Sequence, residues 1–318
     1  MTWLYQDPLF LQHDTGAHPE CAPRLQAVTA HLAQTGLDLR CQRPQWEPIG
    51  EERMARVHRL DYVETIRRLA RGGGGNLDAD TVVSARSYDV ACQAAGAVCD
   101  AVQNVLSGQD RTALCLVRPP GHHARNRSAM GFCLLNNVAL GARLATSELD
   151  VERVLIVDWD VHHGNGTQEA FWEDEQVGFF SIHRWPFYPG TGHSDETGGG
   201  GGLGTTRNVP LPFGTSRDEY RDRFAGELEV FSDRIRPQLV MISAGFDSHC
   251  RDPIGSLGLE VEDFAQLTDT VRQVADQHAG GRLVSVLEGG YNPPVLAECV
   301  ALHLQRLLDC SGGERVRE

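Results

Sequence analysis

The 318 residues predict an α/β domain built around a mostly parallel sheet. Three observations carry that prediction. Short apolar, β-branched runs alternate with longer stretches of helical composition. No interior linker rich in Pro, Ser and charge divides the chain, so one domain spans 1–318. Charged residues recur just beyond the ends of the apolar runs.

Taken in order, a helix is expected from Ser84 to Leu106, followed by a strand at Thr112–Val117. A helix from Asn137 to Leu149 then precedes strands at Val154–Val157 and Val177–Ile182. Helices from Ser216 to Ile235 and from Val261 to Gln277 flank a strand at Leu239–Ser243, and a last strand lies at Leu283–Leu287. The five runs are mainly apolar and free of charge, as suits strands buried on both faces. Arg118, Asp158, His183, Asp247 and Glu288 follow these runs directly or within five residues, which sets them at carboxyl ends of strands, the edge where open α/β sheets bind ligands. The glycine tracts 72–75 and 198–202 lack the Gly-Lys-Ser/Thr ending of a phosphate loop and are expected to be flexible surface loops.

Bulk properties narrow the function. Hydrophobic content of 41% with 23% charged residues suits a soluble protein, and no apolar run approaches the ~20 residues that span a bilayer. The N-terminus shows no basic and then apolar signal, so the expected compartment is the cytoplasm. Nine cysteines, an odd number with no Cys-x-x-Cys pair, fit reduced thiols, and none is given a role. A net charge of -14 argues against a nucleic-acid partner and is compatible with a cationic substrate.

Four separated segments carry the chemistry: Arg118–His123, Asp158–Gly166, Ser243–Asp247 and Glu288–Tyr291. Asp160 and His162, two apart on an extended segment, point to the same side and can reach one ion, with Asp247 as a third ligand. Two carboxylates and one imidazole leave coordination positions open, as a catalytic zinc site does. An isolated Asp-x-His reads as a surface or capping pair; the neighbouring histidines reverse that preference. His122 and His123 supply adjacent imidazoles, one to take a proton from water and one to be oriented by Asp158. Tyr291 follows Gly289 and Gly290, which let its phenol turn inward and donate to a developing oxyanion, a contribution of about 3 kcal/mol for one well-placed donor.

As a set these segments resemble the zinc-dependent histone deacetylase family, which includes acetylpolyamine amidohydrolases and acetoin-utilisation proteins. The resemblance also takes in His18-Pro19-Glu20, Pro23-Arg24, Gly131-Phe132-Cys133, Asn136-Asn137, Pro189–Gly192 and Asp252-Pro253. It implies the arginase/deacetylase fold, one zinc ion on Asp160, His162 and Asp247, and catalytic roles for His122, His123, Asp158 and Tyr291. It leaves the division of acid and base work between the two histidines open. It implies a substrate tunnel walled by Gly131 and Phe132 and, opposite, by Tyr188, where many relatives have Phe. Gly289 also lines that tunnel, Asp80 is the rim carboxylate, and Ile254 stands where a polyamine-selective relative has an acidic residue. A structural potassium is expected near Asp158, Asp160, His162, Ser181 and Ile182. Asn165 replaces the aspartate of class I members, which points to the class II branch. The substrate is then an acetylated protein, peptide or small amine, with acetylpolyamine as the alternative. An arginase-like ureohydrolase with two bridged manganese ions lacks its extra carboxylates here, and a non-catalytic acyl-lysine binding module is disfavoured by the intact histidines and Tyr291.

Overall fold

The computed structural model describes residues 1–309; Cys310 and the end of the expected domain lie outside the described residues. In chain order the elements are β1 (Thr2–Tyr5), α1 (Ala22–Thr35), β2 (Cys41–Gln42), α2 (Glu51–Met54), α3 (Leu60–Arg71), β3 (Gly74–Asn76), β4 (Val82–Ser84), α4 (Ser87–Ser107), β5 (Thr112–Cys115) and α5 (Asn137–Glu148). They continue with β6 (Val154–Asp158), α6 (Asn165–Phe171), β7 (Val177–Arg184), β8 (Thr206–Leu211), α7 (Arg217–Ile235), β9 (Leu239–Ala244), α8 (Val261–His278), β10 (Leu283–Leu287) and α9 (Pro293–Leu308).

Eight strands form one sheet in the order β2-β1-β5-β10-β9-β6-β7-β8, with every neighbouring pair parallel. The five expected strands occupy its middle and are buried almost end to end. β8 carries Pro210, which cannot donate to a ladder, and accordingly lies at an edge. Helices cover the sheet in two groups, α1, α9, α8 and α7 packing in succession and α4 packing on α5. Sequence-local caps start several of them. Asn136 Oδ1 accepts from Ala139 N before α5, Ser216 Oγ from Glu219 N before α7, and Glu260 with Asp263 forms a reciprocal box before α8.

The strand order explains why distant segments converge. The chain crosses from β5 to β6 and fills the gap later with β9 and β10, so β5, β10, β9 and β6 are consecutive in space. At about 4.8 Å per strand, the four loops leaving them fall within roughly 15 Å. Those loops hold residues 118–123, 288–291, 245–252 and 159–165.

Two expectations need correction. Both glycine tracts are packed: Gly74 and Gly75 pair with β4 in an antiparallel hairpin, and Gly199 N donates to Trp172 O at 2.8 Å within a tight loop against that residue. β6 ends at Asp158, so Asp160 and His162 lie on the loop beyond it rather than on extended strand. No helix among the described residues is long and apolar enough to cross a membrane.

Candidate metal centre and active site

The loop after β6 turns Asp160 and His162 toward Asp247 from the loop after β9. His162 Nδ1 lies 3.0 Å from Asp160 Oδ1 and 3.2 Å from Asp247 Oδ2, and all three residues are buried. The fit to a divalent cation rests on two features. Asp247 Oδ2 is buried without a hydrogen-bond donor, since the His162 bond goes to Asp160 and Val161 N donates to the other oxygen, Oδ1. Gly289 and Gly245 keep the space beside the carboxylates open: a Cβ on Gly289 would sit 2.2 Å from Asp247 Oδ2, and one on Gly245 2.1 Å from Asp160 Oδ2. Burial and the neighbouring Asp160 charge push the Asp247 carboxyl up to about 7, a repulsion that a bound cation relieves. Two carboxylate oxygens and an imidazole nitrogen are a zinc donor set.

The loop after β5 sets two imidazoles beside this group, their centroids 4.0 Å apart. His122 Nδ1 is 2.9 Å from Asp158 Oδ2. Burial alone would lower its proton affinity, but Asp158 and then Asp160 override this and raise it to about 10, which favours the charged imidazolium. His123 Nδ1 donates to Asn165 Oδ1 at 2.7 Å, which leaves Nε2 with its lone pair. Burial, then the charges of His122 and His162, hold His123 well below its usual value. Adjacent residues are thus pulled in opposite directions.

Tyr291 enters from the loop after β10. Gly289 N donates to Asp160 Oδ2 at 2.9 Å and Tyr291 N to Asp252 Oδ2 at 2.7 Å, pinning the segment on both sides of Gly290. The ring lies edge-on to Phe132 at 5.7 Å and under the Arg24 guanidinium at 5.0 Å. Burial first, and Asp247 next, raise the phenol well above its ordinary value, so it remains a donor.

Gly131 and Tyr188, two of the residues expected to wall a tunnel, lie against His123. Gly131 has φ 53° and a Cβ there would lie 2.4 Å from His123 Cδ2, so only glycine lets the wall approach the imidazole. Phe132 follows it in the chain, and Tyr188 is edge-on to His123 at 5.3 Å and to His162 at 5.9 Å. Asp80 adjoins Thr81, whose hydroxyl accepts from Phe132 N, so the acidic turn borders the Phe132 wall. Ile254 N donates to Asp252 Oδ1, placing Ile254 beside the carboxylate that pins Tyr291. Ser181 is paired in register with Asp158 across β6 and β7, and Ile182 follows it.

The sequence singled out Asp252 and Glu288 without giving them a role, and sequence reasoning missed Phe187 and the partnership of Asn165 with His123. Phe187 stacks on His162 at 5.2 Å. Asp252 and Glu288 act through backbone amides, for which side-chain patterns carry no signal. A second donor group, His249, Cys250 and Glu260, is partly engaged by local hydrogen bonds: Arg251 N donates to His249 Nδ1 and the Cys250 thiol to Glu260 Oε1, while His249 Nε2 is buried 3.5 Å from Glu260 Oε2 without a hydrogen-bond partner.

The comparisons agree with this geometry. Residues 18–307 match the histone deacetylase domain. The histone deacetylase-like amidohydrolase of Pseudomonas aeruginosa is 38% identical over 282 residues, covering 88% of this chain and 73% of that one. Human polyamine deacetylase HDAC10 is 40% identical over 307 residues, 91% of this chain and 45% of that longer protein. The crystal structure of the HDA15 HD domain superposes with a TM-score of 0.92 at 35% identity, covering 97% of this chain and 88% of that one. With the domain match spanning nearly the whole sequence and the metal triad, histidine pair and tyrosine assembled at one sheet edge, this chain belongs to the histone deacetylase family.

Proposed function

We propose that this chain is a zinc-dependent deacetylase that hydrolyses the amide of an acetylated amine. Asp160, His162 and Asp247 would hold the zinc, which would supply Lewis acidity toward an amide carbonyl and a water. The remaining work falls to the protein. His123, neutral and with a free Nε2, accepts the proton of the attacking water. The His122 imidazolium, oriented by Asp158, gives its proton to the departing amine nitrogen as the C–N bond breaks. The Tyr291 hydroxyl donates to the carbonyl oxygen as charge develops on it. Acetate and free amine result.

The observation that best supports this reading is the opposite pull on His122 and His123, which provides an acid and a base at the same pH. A structural potassium on oxygens of Asp158, Asp160, His162, Ser181 and Ile182 belongs to the same reading, supported by the Asp158–Ser181 register. The eight free cysteines among the described residues fit a reducing compartment such as the cytoplasm.

An acetyl-lysine peptide is the expected substrate class. Acetylpolyamine is the second reading, favoured by the Asp78–Asp80 turn beside the Phe132 wall and by the name of the human relative; the apolar Ile254 weighs against it. Purified protein carrying one zinc per chain should deacetylate members of a matched panel of acetyl-lysine peptides and acetylpolyamines, and chelation should abolish turnover. Failure on both substrate classes with zinc bound rejects the proposal.

A further inference from the structure

Glu288 is a fully buried carboxylate that the reaction as described does not use. It leaves the end of β10, between β5 and β9 in the sheet. Its Oε2 accepts from Gly121 N at 2.6 Å and from His122 N at 3.2 Å, while Oε1 accepts from Ser243 Oγ at 3.3 Å. One side chain therefore joins the loop after β5, which carries both catalytic imidazoles, to the end of β9, which leads to Asp247. Its main chain is held as well: Arg24 donates through Nη2 to Glu288 O and through Nε to Gly290 O. Three residues later the same segment delivers Tyr291.

We propose that Glu288 is a positioning residue that fixes the His122 backbone, and with it the histidine pair, relative to Tyr291. The inference rests on the deacetylase reading above. Asp158 orients the His122 ring, and the backbone carbonyls of Gly121 and His122 accept from Ala124 N at 2.9 Å and Thr167 N at 3.1 Å; Glu288 holds the other side of the segment, the amides of Gly121 and His122. A buried acceptor facing two consecutive N–H groups fixes those amides as well. Because both proton-transferring imidazoles are on the anchored peptide, a small displacement acts on the chemical step more than on substrate capture in the tunnel.

Two substitutions separate positioning from charge. Glu288→Gln keeps a carbonyl oxygen for the two amides and can pair its NH2 with the Ser243 hydroxyl, so kcat should stay within a few-fold of wild type. Glu288→Met fills the volume without an acceptor, and kcat should fall about 10- to 100-fold, the usual loss on removing a supporting partner, with KM and zinc content unchanged. Amide hydrogen exchange in the 119–123 segment should accelerate in the Met variant and not in the Gln variant. This last readout does not depend on turnover. An inactive wild type with the exchange pattern intact means that the deacetylase reading has failed, and with it the catalytic purpose of the anchor. An active wild type with no kcat loss in the Met variant, or an equal loss in the Gln variant, overturns positioning by Glu288. If the Met variant fails to fold, a Gln variant with wild-type exchange and near-wild-type kcat still supports the anchor, and one with accelerated exchange rejects it.

Discussion

At the scale of single residues, Tyr291 carries the clearest test of the chemistry. Its hydroxyl is useful only as a proton donor, and its surroundings keep it protonated throughout the working range: burial raises it, and Asp247 adds repulsion against a phenolate. Removing the oxygen leaves the ring contacts to Phe132 and Arg24. Tyr291→Phe should therefore retain one zinc and substrate affinity while kcat drops about 100- to 1,000-fold, the loss typical of one oxyanion donor. Metal analysis with steady-state kinetics checks this, and a variant within a few-fold of wild type sinks the oxyanion role. Tyr291, His122, His123 and the candidate metal triad were legible because the roles proposed for them belong to their own side chains, so residue type and spacing point to them. Asp252 and Glu288 were named from the sequence, but their roles were not legible, because each accepts from another residue's backbone N–H, and only the fold reveals which amide that is.

At the scale of elements, the readable strands were the ones buried on both faces. β5, β6, β7, β9 and β10 announce themselves as mainly apolar runs, whereas β8, Thr206–Leu211, mixes Arg207, Asn208 and Pro210 because it is an edge. β2 is too short to show a pattern, and β1, α1, α3 and α9 went unread although they are ordinary elements. What ties α1 to the site is ionic. Glu20 accepts from Arg118, which follows β5, and from Arg24 in α1, and all three side chains are fully buried. Burial would raise the Glu20 carboxyl, yet Arg118 above all holds it down at about 2. Since its folded value lies below its unfolded one, its contribution is complete above about pH 4.5 and is lost as pH falls toward 2. Glu20→Gln leaves two buried guanidinium groups without a counter-charge and should destabilise the fold by about 3–5 kcal/mol, as breaking one side of a buried pair does. A urea denaturation midpoint close to wild type would show that the ionic junction contributes nothing net.

At the scale of the whole molecule, acid should unfold this protein before Glu20 titrates, because several histidines are buried neutral. His58 is the best placed to show it. Its Nδ1 donates to Arg125 O at 2.9 Å and its Nε2 accepts from Asn136 N at 2.9 Å, so a second ring proton would face an amide hydrogen at the start of α5. Burial lowers its value from 6.5 to about 4, against a smaller opposing effect of the Arg125 carbonyl. His303, bonded to Thr268 and Ser285 between α8, α9 and β10, is lowered by burial to about 3. A histidine depressed in the folded state binds its proton more readily when unfolded. Stability is therefore fully present above about pH 6.5 and is lost as pH falls toward 4. At 1.36 kcal/mol per unit, His58 alone removes roughly 3 kcal/mol by pH 4, a large share of the 5–15 kcal/mol that holds a typical domain together. His58→Gln can still donate to Arg125 O and accept from Asn136 N but cannot titrate. Once its offset at neutral pH is subtracted, its unfolding free energy should fall less steeply than wild type between pH 6.5 and 4.5. Parallel curves for the two proteins over that window would remove His58 as a source of the acid sensitivity.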